Sequence, residues 1–237
     1  MIRIPQTALI TGASRGLGLA LARHLARERW HLIITARDPH ELEAAHAELV
    51  THTSVTALPG DVSDETHAQD LAAAARQTGG LHALVNNAST LGVSPLPHLK
   101  DYPLDALERV YRVNVLAPLR LFQLTLPTLR PGARVINVSS DAGVEGYAGW
   151  GGYGSSKAAL EQLSRVLAAE HPELRVYWID PGDMRTRMHQ DAFPGEDISD
   201  RPEPQASVPG LARLLRGDLP SGRYATQRMS DTAEVRA

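Results

Sequence analysis

Short β-rich apolar runs alternate with helical patterns along most of this chain, and that alternation limits the folds open to it. Residues 7–11, 31–36, 54–58, 83–86, 134–138 and 174–179 read as strands. Residues 15–28, 41–50, 64–77, 104–130 and 154–170 read as helices, the first with Leu17, Leu21 and Leu25 at four-residue steps. The strands do not alternate polar with apolar residues, so both of their faces are expected to be buried. A parallel sheet with helices on both sides meets that requirement, giving a three-layer, doubly wound α/β fold. With 237 residues, 43% of them hydrophobic, and no internal repeat, one domain over 1–237 is expected. The proline- and acid-rich stretch 189–210 lacks periodicity and reads as a lid loop over a substrate. Residues 228–237 read as a loose tail.

Composition removes several classes of function. A net charge of -3 gives no basic surface for nucleic acid. No stretch approaches the roughly 20 apolar residues of a membrane span; the best, near 116–129, is broken by Arg120, Gln123 and two prolines. The N-terminal Met1-Ile2-Arg3-Ile4-Pro5 runs straight into a strand pattern, leaving no room for a signal peptide. The absence of cysteine excludes disulfides, zinc–thiolate sites and thiol catalysis. A cytoplasmic location and no bound metal are the expectations.

The first strand ends in Thr11-Gly12-Ala13-Ser14-Arg15-Gly16-Leu17-Gly18, and a helix follows at once. Glycines there allow a tight turn and a close approach of backbone to pyrophosphate, whose charge helix N-terminal amides would hold. At the end of the second strand stand Ala36, Arg37 and Asp38. A carboxylate in that place favours a free ribose 2′-hydroxyl, whereas arginine favours a 2′-phosphate. Arg37, with Arg15 from the glycine loop, favours NADP(H) over NAD(H). Pairing of Arg37 with Asp38 is the competing reading.

Ser140 is followed thirteen positions later by Tyr153, which opens a Tyr-x-x-x-Lys ending at Lys157. An unperturbed tyrosine has a pKa of about 10 and is a poor acid or base near neutrality. A lysine one helical turn away shares its helix face, and its charge would favour the phenolate by roughly 1–3 pKa units. A serine hydroxyl nearby could hold the oxygen that exchanges the proton.

With these residues in hand, the chain resembles the short-chain dehydrogenase/reductase family, in its compact branch and not the longer epimerase-type branch. The resemblance covers most of residues 6–188. It rests on the ordered set of the glycine loop, Gly60-Asp61-Val62, Asn86-Asn87-Ala88, Asn114, Ser139-Ser140, Tyr153 to Lys157, and Pro181-Gly182 with Thr186. It implies a Rossmann-like fold and a cofactor site drawn from Gly12, Ser14, Arg15, Gly16, Leu17, Gly18, Arg37, Asp61, Val62, Asn87, Ala88, Tyr153, Lys157, Pro181, Gly182 and Thr186. Asp61 would meet the adenine with Val62 beside it, Lys157 the nicotinamide ribose, and Thr186 the carboxamide. Asn114, Ser140, Tyr153 and Lys157 would form the catalytic set, and one of the paired serines would only cap a strand end.

Asn114 follows Leu107, Val110 and Tyr111 at helical spacing, so it lies on an apolar stripe. Pro118 has no N–H to give to its carbonyl. Two readings stand: a carbonyl that holds a water leading to Lys157, or a structural asparagine in a proline-kinked helix. The chain departs from the family pattern at Ser89, where glycine is usual, and at Asp180, where asparagine is common. A third departure is Ser221-Gly222-Arg223-Tyr224, which replaces a C-terminal Asp-Gly-Gly and leaves homodimer and homotetramer both open.

The reaction implied is hydride transfer between the nicotinamide and a carbonyl or alcohol carbon of a small substrate. Ser94, Leu96, Ala142, Tyr147, Trp150, Asp183, Met184 and His189 are candidate lining residues, with His189 either an extra acid–base group or a surface histidine. A non-catalytic nucleotide sensor on the same fold is the alternative, against which the intact Ser140, Tyr153 and Lys157 argue.

Overall fold

The computed structural model describes residues 5–229. Among them, seven strands form one parallel sheet: β1 (Thr7–Thr11), β2 (His31–Ala36), β3 (Val55–Pro59), β4 (Leu81–Asn86), β5 (Leu129–Val138), β6 (Arg175–Asp180) and β7 (Gly222–Ala225). Their order is β3-β2-β1-β4-β5-β6-β7, and every neighbouring pair runs parallel. The order reverses direction between β1 and β4, which opens a crevice at the carboxyl ends of the strands, the usual ligand position in such sheets.

The inner stretches of the strands are largely apolar because each face of the sheet is covered. Ala8 and Ile10 of β1 join one core with Leu32, Ile34, Val85 and Ile136, under α1 (Gly16–Arg27), α2 (Pro39–Leu49) and α8 (Val208–Arg216). Leu9, between them in sequence, points to the other core with Ile33, Leu84 and Val135. That side is closed by α3 (Glu65–Gln77), α5 (Ala117–Thr125) and α6 (Gly151–Glu170). Asp38 and Asp64 cap α2 and α3, their side chains accepting from His40 and Glu41 N–H and from His67 N–H respectively.

Three expectations change. The helix expected over 104–130 is broken into α4 (Leu104–Tyr111), a π-helical turn at Arg112–Leu116 and α5, and a 3₁₀ turn at Leu126–Thr128 then leads into β5. Pro118 cannot donate to the carbonyl of Asn114, and the wider π turn falls where that bond is lost. The unstructured stretch expected over 189–210 narrows, because α7 (Arg187–Ala192) enters it and a 3₁₀ turn at Pro204–Ser207 runs into α8. Finally, the packed chain continues through β7 to a buried Met229, so residues 228 and 229 do not belong to a loose tail; the rest of the expected tail, 230–237, lies outside the described residues.

Candidate active site

The loop after β1 is shaped by backbone that only glycine adopts easily. Gly12 and Gly16 have φ of 66° and 56°. Gly18 is held for space: a Cβ there would stand 2.3 Å from the Gly12 carbonyl oxygen and 2.6 Å from Asn87 Nδ2. Asn87 fastens the loop to β4, its Nδ2 donating to the carbonyls of Thr11 (2.9 Å) and Gly12 (3.0 Å). The main-chain N–H groups of Asn87 and Ala88 both donate to Thr11 Oγ1, each at 3.0 Å. Unlike α2 and α3, α1 has no side-chain cap and no acid in its first turn, so its amides face the crevice with their positive end uncompensated. A glycine cradle with open amides suits a pyrophosphate. Gly18→Ala is expected to lower Tm and weaken nucleotide binding, since forcing a methyl into packed backbone costs about 1–3 kcal/mol. Thermal melting and a binding titration would check both.

A cleft of about 920 Å³ runs from this loop to Tyr153. Of the residues expected at the cofactor, Gly12, Ser14, Arg15, Gly16, Leu17, Arg37, Asp61, Val62, Asn87, Ala88, Tyr153, Lys157, Pro181 and Thr186 line it. Gly18 and Gly182 do not. Gly182 turns with a φ of 72° against Gln227, and its N–H donates to Asp180 Oδ1 at 2.9 Å. Thr186 caps α7, its side chain accepting from His189 N–H. The competing pairing of Arg37 with Asp38 is not formed; Asp38 Oδ1 accepts instead from the His40 and Glu41 N–H groups at the start of α2. Arg15 lies instead against Glu41, a residue the sequence reading missed; it donates from NH1 to both carboxylate oxygens, at 2.8 and 3.0 Å.

At the far end, α6 carries Tyr153 and Lys157 one turn apart, both buried. Lys157 Nζ donates to the Val138 carbonyl at 2.7 Å and lies 5.3 Å from the centre of the Tyr153 ring. Burial pushes the Lys157 ammonium down to about 7. Burial also drives the Tyr153 phenol well above its ordinary value, against the opposing influence of the nearby Ser140 and Ser89 hydroxyls. The expected lowering of the tyrosine by the lysine charge is therefore not met, because desolvation dominates both groups.

The two serines part company. Ser139 Oγ turns into the interior and donates to Glu161 Oε1 at 2.8 Å. Ser140 Oγ donates to Asp141 Oδ1 at 2.8 Å and also accepts from Ala142 N–H at 3.2 Å, capping the short turn that follows. Glu161 is buried and also takes Arg223 Nε at 3.0 Å, while Arg223 NH2 donates to the Ser140 carbonyl at 3.3 Å. Asn114 is 1% exposed, and its amide is fully used. Its Oδ1 accepts from Ser89 Oγ (3.1 Å) and Thr90 N–H (2.9 Å), and its Nδ2 donates to the Thr90 carbonyl (2.9 Å) and Ser156 Oγ (3.0 Å). Ser156 in turn donates to the Tyr153 carbonyl at 2.6 Å, so the π turn braces α6.

Beside Tyr153 lies an apolar cluster, of which Leu91 and Met188 also line the cleft. Leu91, Ala142 and Ala192 pack with Tyr153, and Leu96, Trp150, Met188 and Phe193 close around them. Trp150 stands edge-on to Tyr153 with centroids 5.8 Å apart, and Phe193 lies 5.8 Å from Trp150. Ser94 and Met184 line the cleft, whereas Tyr147 is exposed and donates to Asp141 Oδ2 at 3.0 Å. His189 stacks on Phe193, with Nδ1 3.9 Å from Asp183 Oδ1. Phe193 was not foreseen because it lies in a segment without periodicity.

Residues 6–197 match the family model described as short chain dehydrogenase. A Pseudomonas aeruginosa 3-oxoacyl-[acyl-carrier-protein] reductase of rhamnolipid biosynthesis is 38% identical over 195 residues, covering 76% of this chain and 73% of its own. The solved oxidoreductase yciK from E. coli superposes with a TM-score of 0.87 at 31% identity, covering 94% of this chain and 95% of that one. A short chain dehydrogenase from Shigella flexneri, solved with NADP, gives a TM-score of 0.87 at 29% identity, covering 94% and 97%. The Rossmann-like sheet, the glycine loop and this breadth of similarity place the chain in the short-chain dehydrogenase/reductase family of oxidoreductases.

Proposed function

We propose that the protein is an NADP(H)-dependent oxidoreductase interconverting the carbonyl and alcohol forms of an apolar substrate. The observation that carries this reading is that one cleft joins the open amides of α1 at one end to Tyr153 and Lys157 at the other, with Ser140 beside them. The glycine loop, Asp61, Val62, Asn87, Lys157 and Thr186 would hold the dinucleotide, which supplies two electrons as hydride. In reduction, Tyr153 donates the proton that the substrate oxygen needs, and Ser140 turns its hydroxyl from Asp141 to the same oxygen. Lys157, already close to half-charged near neutrality, restores the proton. The apolar side chains of Leu91, Met184 and Met188, which line the cleft near Tyr153, exclude water and favour a hydrophobic carbonyl compound. The 3-oxoacyl reductase relative and the NADP-bound neighbour support the chemistry and the nucleotide. Exposed Leu104, Leu116 and Val166 support a homo-oligomer.

The test follows nicotinamide absorbance with NADPH and NADH across aliphatic, aromatic and charged carbonyl compounds. Turnover is expected with apolar carbonyls, at least about tenfold more efficient with NADPH, consistent with a charge-paired phosphate worth about 1.4 kcal/mol or more. Binding of both nucleotides without turnover of any substrate would favour the sensor reading instead.

A further inference from the structure

The corner of the cleft reserved for the ribose 2′ position holds a carboxylate as well as two arginines. Ser14, Arg15, Arg37, Asp38 and Glu41 all line it. Asp38 is spent on capping α2, which leaves Glu41 as the acid facing the loop. Glu41 takes Arg15 NH1 on both oxygens at 2.8 and 3.0 Å, and Ser14 Oγ on Oε2 at 3.2 Å. Its place in the first turn of α2 suits a carboxylate, because the helix N-terminus is the positive end. One of the two arginines expected to serve a 2′-phosphate, Arg15, is thus already serving Glu41, together with Ser14, while Arg37 is not.

We propose that Glu41 is a specificity-determining residue, competing with the 2′-phosphate for Arg15 and Ser14 and thereby narrowing the preference for NADPH over NADH. The inference rests on reading this cleft as the nucleotide site. A dianionic phosphate entering the corner must displace the carboxylate from Arg15 and then sit beside its negative charge. The side chains of Arg15 and Glu41 are 49% and 35% exposed, so the pair is screened and yields to a stronger anion. For NADH, which has a 2′-hydroxyl, the same carboxylate is an acceptor for that hydroxyl, the service an acid at the end of β2 performs in NAD-binding folds. One residue therefore disfavours one cofactor and favours the other.

Glu41→Gln keeps the size of the side chain and removes its charge. Dissociation constants for NADPH and NADH, from fluorescence titrations of the wild-type and variant proteins, give the readout. NADPH is expected to bind about two- to fivefold more tightly to the variant, within the range of a screened ion pair. NADH is expected to bind equally or more weakly, and the NADPH gain should shrink as salt rises. In an Arg15→Ala background the part of the NADPH gain that comes from freeing Arg15 should vanish, leaving a smaller gain from relieved repulsion, and a gain as large as in the Arg15 protein would overturn the competition. An unchanged or reduced NADPH-to-NADH preference in Glu41→Gln, with an unchanged melting temperature, would overturn the role given to Glu41 while leaving the nucleotide site intact. Failure of the wild-type protein to bind either nucleotide would overturn both readings.

Discussion

Tyr153→Phe is expected to lower turnover by about 10²- to 10⁴-fold, the range that a positioned general acid contributes, while NADPH binds as before. The substitution removes one oxygen atom and leaves the frame untouched. Tyr153 is held through its main-chain carbonyl by Ser156, and Ser156 by Asn114, so the ring keeps its place on α6. The ring also keeps its packing with Leu91, Ala142 and Trp150. What disappears is the hydroxyl that Ser140 and Ser89 approach. A phenol so deeply buried gives up stabilising burial energy if it ionises, so it is a reluctant acid in the resting protein, and its removal separates binding from chemistry. Steady-state kinetics and a nucleotide titration check the two halves, and near wild-type rates in the variant would refute the assignment of Tyr153.

Lys157→Met is expected to abolish most turnover, at least about 10²-fold, and to change the pH dependence of stability in the cofactor-free protein. The unfolded chain keeps a proton on Lys157 up to its ordinary 10.5, whereas the folded protein releases it near 7. Between those values the unfolded state binds more protons, so stability rises with pH, with a slope approaching about 1.4 kcal/mol per unit. Above about pH 10 the buried phenols Tyr153 and Tyr177, both pushed upward by burial, reverse the trend because the unfolded chain ionises them first. Methionine fills the same space without a charge to desolvate, so the rise between 7 and 10 should flatten. The variant also leaves the Val138 carbonyl without its Nζ donor, which offsets part of the gain near neutrality by about 1–3 kcal/mol. Denaturant melts of both proteins across pH 6–10 give the comparison, and parallel curves would remove Lys157 as the source.

What could be read from the sequence was what depends on residue type at fixed spacing. The glycine loop was legible because only glycine takes the backbone at Gly12 and Gly16, and the six strand runs because both of their faces are buried. The rest depended on distance in space. β7 has four residues including Gly222 and Arg223, too short and too polar to read as a strand. α8 puts Leu211, Leu214 and Leu215 on one face, but Pro209 and Gly210 at its start disguise it. The ion pair of Arg15 with Glu41 links residues 26 positions apart, and no local pattern announces it. The balance between charge and burial at Tyr153 and Lys157 was misjudged for a similar reason. The sequence places the lysine near the tyrosine, but only the folded packing shows how little water reaches either.

Arg223 brings the end of the chain into the chemistry. From the edge strand β7 it holds Glu161 on the helix that carries Tyr153 and Lys157, and it holds the carbonyl of Ser140. Edge strands near a terminus are where folded proteins open first, at free energies well below global unfolding. When β7 frays, Glu161 loses a buried cation and the Ser140 carbonyl loses a donor, although most of the sheet is still intact. If the proposed chemistry holds, activity is expected to fall with local opening of this edge before the rest of the sheet unfolds.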